Sequence, residues 1–360
     1  MWGNIVIAFL LAFITAYVIT PYTIRLSRKI GALDVPKEKR KIHKNAMPTL
    51  GGLAIIAGFA VSIIYLLIVM SLEGSLTLNG SDSYGFKLIG FFLGAIILSI
   101  FCFVDDYKGI PAYIKFLGQL FSAIIVVLFG LRMDPIVLSH FNTIINGDLI
   151  LSIITIIWIV GITNAVNLID GLDGLSAGIG IISCLSLLMI FSLNSSPLIS
   201  ILLITALAGS LVGFLPFNFN PAKTFMGDTG SNFLGFALSI ISIIGTAKTY
   251  TLLVLIAPLI VFAIPLLDTS LAIVRRIIKT KSIKGIFKAD SEHLHHKIMK
   301  KGYTQKQAVF ILYGISAICG MFAVILLESG FFKAISFALM VTAIAGIGYK
   351  DIFKIRNIDK

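Results

Sequence analysis

Eleven apolar runs, at about 3–24, 48–71, 86–104, 113–130, 149–165, 175–192, 198–216, 231–246, 250–273, 306–327 and 331–349, leave this chain few ways to fold. A helical run of about 20 apolar residues matches the hydrocarbon thickness of a bilayer, and a helix satisfies its own backbone hydrogen bonds there. With 58% hydrophobic residues, 13% charged residues and a mean hydropathy of +1.01, a soluble globular chain is excluded. The expected fold is all-α: a polytopic membrane helical bundle of about 11 transmembrane helices, forming one integral membrane domain over residues 1–360.

The positive charge sets the expected orientation. A formal net charge of +12 would suit a nucleic-acid partner if the basic residues shared one folded face. They gather instead in alternate connecting segments, and of 29 Lys and Arg only Lys87, Arg132, Lys248 and Lys333 fall on the other side. The positive-inside rule then places the N-terminus outside and the C-terminus in the cytoplasm, as a multi-pass protein of the cytoplasmic (inner) membrane. Basic loops beside spans also attract anionic membrane lipids, so no nucleic-acid partner is expected. Cys102, Cys184 and Cys319 stand singly in apolar runs and read as small core residues. The first run, without a basic leader or a clear cleavage site, reads as a retained helix.

Against this apolar background the polar motifs stand out, because desolvating an ionisable group at a membrane boundary is costly. The stretch Asn164 to Gly174 carries Asn164, Asn167, Asp170 and Asp173; helical spacing puts the first three roughly on one face, and Asp173 extends the row. Hard oxygen donors of this kind suit Mg²⁺, while the two Asp-Gly pairs equally suit a connecting turn. Asp105 and Asp106 repel one another and want a cation; either can also act as a general base or cap a helix. The segment Phe225 to Ser231 places Asp228 among glycines and hydroxyls just before an apolar helix, where backbone N–H groups can meet an anion. Asn218 and Asn220 add amides nearby, and Phe225 offers an aromatic face for a base. His293, His295 and His296 lack zinc spacing and suit diphosphate oxygens better. His43 and Lys44 close a basic cluster that also contains Arg40 and Lys41. In the derived topology these motifs share the cytoplasmic side, which favours one shared site over scattered turns.

Taken in order, Arg40-Lys41-x-His43 with Pro48-x-x-Gly51-Gly52, the Asp105-Asp106 pair, Asn164-x-x-Asn167-x-x-Asp170-Gly-x-Asp173-Gly, Phe225-Met-Gly-Asp228 and His293-Leu-His-His296 cover nearly the whole chain. Together they resemble the polyprenyl-phosphate N-acetylhexosamine-1-phosphate transferases. The His-Leu-His-His spacing is similar to the WecA/TagO-like branch, which uses UDP-GlcNAc. The MraY-type branch, which uses UDP-MurNAc-pentapeptide, has three consecutive histidines there and is the alternative. The resemblance implies transfer of GlcNAc-1-phosphate from UDP-GlcNAc to undecaprenyl phosphate with release of UMP, at the cytoplasmic membrane face, initiating an envelope glycan such as lipopolysaccharide or teichoic acid. It implies Mg²⁺, with Mn²⁺ as an expected substitute, held by Asp228 with Asp105 and Asp106. It further implies that these three carboxylates and His293, His295 and His296 are catalytic. His43, Lys44, Asn164, Asn167, Asp170, Asp173, Asn218 and Phe225 are the implied substrate-binding residues. A homodimer is compatible with this reading. An ion-coupled transporter is the remote alternative, but transporters place such groups near mid-bilayer in repeated halves, and no repeat is visible here.

Overall fold

The computed structural model describes residues 2–36, 45–74, 84–133, 147–246, 252–281 and 293–342. The described chain is almost wholly helical. In order come α1 (Trp2–Ile30), strands β1 (Leu33–Asp34) and β2 (Met47–Pro48), α2 (Gly52–Leu72), α3 (Tyr84–Lys108), α4 (Ala112–Leu128), α5 (Gly147–Ile169) and α6 (Leu175–Leu193). There follow α7 (Leu198–Asn218), α8 (Gly227–Thr246), α9 (Leu252–Val261), α10 (Ala263–Thr280), α11 (Leu294–Lys300), α12 (Gln305–Ser329) and α13 (Phe331–Thr342). Eight of the described helices, α1, α2, α3, α5, α6, α7, α8 and α12, are long and apolar enough to cross a membrane. The fourth and eleventh runs form the shorter apolar helices α4 and α13 within the described residues. The ninth run is not one helix: α9 ends at Val261 and α10 begins at Ala263. Pro265 has no N–H to return to the carbonyl four residues back, so the ladder is interrupted at that point.

Helices in a bilayer gain little from burying apolar surface against each other, so close approach depends on small residues. On α1 the buried residues Ala8, Ala12, Ala16 and Thr20 recur every four positions, giving one smooth stripe. On α7, Gly209 and Gly213 meet that stripe: an added Cβ at either would lie 2.4 Å from the Phe9 or Phe13 carbonyl oxygen. Ser62 on α2 completes the contact by donating to the Ala8 carbonyl at 2.8 Å. At the centre stands α8, whose residues from Thr229 to Thr246 are all buried.

Two features bring distant segments to the start of α8. The antiparallel pair β1–β2 is a departure from the all-α expectation, joining Leu33 to Pro48 and Asp34 to Met47. It leads into Gly51 and Gly52, whose N–H groups donate to the carbonyls of Phe225 and Met226 at 3.2 and 2.9 Å. Gly52 lies so close that an added Cβ would sit 2.2 Å from the Gly230 Cα. The Gly51-Gly52 pair therefore serves close backbone packing at the mouth of the bundle.

Candidate active site

The first turn of α8 is held by a residue of another helix. Asp106, near the end of α3, accepts the N–H groups of Asp228 and Thr229 at 2.8 and 2.9 Å and the Thr229 hydroxyl at 2.6 Å. A carboxylate at a helix N-terminus satisfies orphan amides and faces the positive end of the dipole. Gly227, at φ +69, makes the turn, and a Cβ there would strike the Thr49 carbonyl and the Asp106 carboxylate.

Asp105 points elsewhere. It accepts the Ile110 N–H at 2.8 Å and lies 3.3 Å from the Lys115 ammonium. That ammonium also meets Asp228 at 2.5 Å. Asn167 of α5 donates to the same Asp228 oxygen at 2.6 Å and to the Ser231 hydroxyl at 2.8 Å. Asp105 and Asp228 thus share one lysine while Asp106 caps α8, so the three carboxylates of α3 and α8 each have a different set of donors. The adjacent pair is split because successive helix residues point about 100° apart.

Asn164, expected to touch substrate, is turned into the protein. It donates to the Gln119 side chain at 2.6 Å, Gln119 donates to Asn232 at 2.7 Å, and Asn232 donates to the Asp228 carbonyl at 2.8 Å. It lies one turn deeper than Asn167, where apolar surroundings require every amide to find a partner. Beyond the end of α5, Asp170 is pushed up to about 8, first by burial and then by Asp228 and Asp106. Asp173 accepts the Asn220 amide at 2.8 Å and the Ala222 N–H at 3.2 Å, latching the 218–224 turn. Asn218, also expected to bind substrate, lines the cleft but is largely buried, and it ties Gly174 N–H to the Thr224 carbonyl, at 3.2 and 3.0 Å.

The histidines divide. His293 faces Asp268 of α10, with Nδ1 3.0 Å from its carboxylate, and does not reach the cleft. His295 is only 1% exposed, its ring lies against Gly171, and its nitrogens have no hydrogen-bond partner among the described residues. Burial, and secondarily His296, push its imidazole down to about 3, so it is neutral at pH 7. His296 lines the cleft. His43 and Lys44 lie outside the described residues.

The cleft has a volume of about 1080 Å³. Asp105, Asp106, Asn167 and Asp228 line one wall; His296, Gln305, Asp170, Asp173, Asn218 and Phe225 are among those lining the rest. Its carboxylate end offers hard oxygen donors and already accommodates one cation, the Lys115 ammonium, so donor chemistry there fits Mg²⁺. Among the described residues no group of three or more His, Cys, Asp or Glu side chains is close enough to hold a metal ready-made. Lys115, Gln119, Asn232, Gln305 and Asp268 escaped the sequence reading. Lys115 was absorbed into the orientation charges, whereas Gln119 and Asp268 carried the available signal, a polar group inside an apolar run.

Residues 88–246 match the model of glycosyl transferase family 4. The chain is similar to the probable undecaprenyl-phosphate N-acetylglucosaminyl 1-phosphate transferase of Bacillus subtilis (strain 168), 37% identical over 323 residues, covering 90% of this chain and 85% of the relative. It is 32% identical to the decaprenyl-phosphate N-acetylglucosaminephosphotransferase of Mycobacterium tuberculosis (strain ATCC 25618 / H37Rv), over 84% of this chain and 78% of the relative. It is 33% identical to the phospho-N-acetylmuramoyl-pentapeptide-transferase of Staphylococcus epidermidis (strain ATCC 12228 / FDA PCI 1200), over 88% and 96% of the two chains.

Proposed function

The chain belongs to glycosyl transferase family 4, and from that premise we propose that it transfers GlcNAc-1-phosphate from UDP-GlcNAc to undecaprenyl phosphate, releasing UMP. The observation that carries the reading is the 37% identity to a GlcNAc-1-phosphate transferase over most of both chains, with the carboxylate wall and His296 facing one cleft. In the reaction an oxygen of the lipid phosphate attacks the phosphorus bonded to the sugar. The bond from that phosphorus to the bridging oxygen breaks, and UMP leaves with the electron pair. The lipid phosphate is already anionic near pH 7, so no strong base is needed.

Each wall then has a task. Lys115 holds Asp105 and Asp228 together against their repulsion, and Asn167 fixes the rotamer of Asp228. Asp106 keeps the first turn of α8, and with it Asp228, in register. His296 and Gln305 offer donors from the opposite side. Asp228, with Asp105 and Asp106, would hold Mg²⁺, which when bound would supply positive charge to offset that of the diphosphate. We further read the chain as one catalytic domain in the inner membrane with its cleft facing the cytoplasm and eleven crossings, α4, the α9–α10 pair and α13 each counting as one. The alternating basic segments support an outside N-terminus.

The test is turnover by the purified protein with undecaprenyl phosphate and each UDP-sugar in turn, with and without Mg²⁺. UMP release from UDP-GlcNAc, abolished by chelation and absent with UDP-MurNAc-pentapeptide, is expected; the reverse donor preference would overturn the reading. For orientation, cysteine placed at Glu73 should label from outside intact cells and cysteine at Lys301 should not.

A further inference from the structure

Asp268 is a carboxylate within the ninth apolar run, 2% exposed. A buried charge of this kind costs several kcal/mol unless hydrogen bonds compensate it. Both of its oxygens are engaged at one place: Oδ1 accepts the Leu294 N–H at 2.8 Å and Oδ2 meets His293 Nδ1 at 3.0 Å. It therefore grips the first residues of α11 from α10. His293 Nδ1 carries the proton that this carboxylate accepts.

The consequences pass along three rings. His293 is stacked parallel to His295, with centroids 5.8 Å apart and planes 3° apart. His295 lies 4.2 Å from His296, centroid to centroid. His296 reaches the cleft. On its other side α11 rests Leu294, Ile298 and Met299 on a small apolar cluster formed by Ile169, Leu172, Leu175 and residues of α12. That cluster fixes the depth of α11 but not its rotation, since apolar contacts are not directional. The Asp268 bonds are directional.

We propose that Asp268 is a positioning residue for the sugar nucleotide: by fixing His293 and the start of α11 it aims His296 at the cleft, and His293 serves as the donor in that clamp. This rests on the donor-transfer reading above. Its chemistry separates the two nitrogens of His293: the clamp needs Nδ1, while a group acting on substrate would need Nε2. Asparagine reproduces a donor near the Nδ1 position and glutamine one near Nε2.

The experiment compares purified Asp268→Ala, His293→Asn, His293→Gln and wild type, with KM taken separately for the sugar nucleotide and for polyprenyl phosphate. Whichever UDP-sugar the wild type turns over is the donor, so loss of UDP-GlcNAc activity in the wild type counts against the proposed function alone. Asp268→Ala should lower kcat/KM for the donor by about tenfold or more with the acceptor KM unchanged within about twofold, whereas merely losing folded protein would lower kcat and move neither KM. His293→Asn should stay within about threefold of wild type and His293→Gln should fall with Asp268→Ala. An unchanged donor KM in Asp268→Ala overturns the proposal. If that variant does not fold, a His293→Asn protein as inactive as His293→Gln overturns it instead.

Discussion

One wall of the cleft hangs from the ends of spanning helices, and the other rests on a short helix packed against the end of α5, the start of α6 and α12. Asp105, Asp106, Asn167 and Asp228 project from α3, α5 and α8, which pack closely at Gly94 and Gly235, and every one of these carboxylates already has donors. On the opposite wall α11 has seven residues and is held by an apolar cluster, the Asp268 bonds and the fit of His295 against Gly171. The first wall is a fixed array of charge. The second is neutral at His295 and positioned by shape; on the proposed function it would tune binding of the ligand that the first wall acts on.

The contrast can be broken most severely at Asp228. Asp228→Asn keeps the shape and loses the charge that faces the cleft, and should slow turnover at saturating Mg²⁺ by at least about a hundredfold, roughly 3 kcal/mol. Its thermal midpoint in detergent should stay near that of wild type, because the carboxylate does not pack the core; near wild-type turnover would remove Asp228 from the chemistry.

Asp106→Asn tests the same wall as a scaffold. An amide cannot accept from all three donors, so about 2 kcal/mol of stability should be lost with the capped turn. Chemical denaturation of the purified protein reads this directly. A variant as stable as wild type would mean that the α8 start is held by the Gly51 and Gly52 contacts alone.

On the shape-fitted wall the sharpest change is Gly171→Ala. Gly171 is not in the left-handed region, but its Cβ would lie 2.6 Å from His295 Nε2, a contact that forces the ring to move. We expect a cost of about 1.5 kcal/mol and a raised donor KM, with the stability loss largely relieved in the Gly171→Ala, His295→Ala double variant. Additive losses in the double variant would show that the two residues do not meet.

The last effect is graded by pH. His295 is held at about 3 when folded, against about 6.5 when unfolded, so below pH 6.5 the unfolded state takes up the proton first. Stability should therefore be intact above pH 6.5 and fall by about 1.4 kcal/mol per unit as pH drops below it towards 3. His295→Gln should show a shallower fall of thermal midpoint between pH 6.5 and 5; identical slopes would place the His295 ring in water rather than against Gly171.

Residue types and hydropathy alone carried the chain to the membrane, to helices and to the motifs that meet in one cleft, because a bilayer imposes the same demand on every span: apolar side chains and internally satisfied backbone. They also selected Asp228, Asp105 and Asp106 from their surroundings, since a carboxylate beside lipid must have a partner. What that partner is depends on residues far away in the chain. Asp105 and Asp106 are neighbours in sequence, yet one bonds Lys115 and the other caps α8. Asn164 and Asn167 share a helical face, yet one joins a buried amide chain and the other orients Asp228. Gly171 looks like half of an Asp-Gly turn until His295 is seen lying against it. These distinctions arise where helices touch, from the angle between successive side chains and the space a single Cβ would fill, and neither quantity exists until the helices are packed.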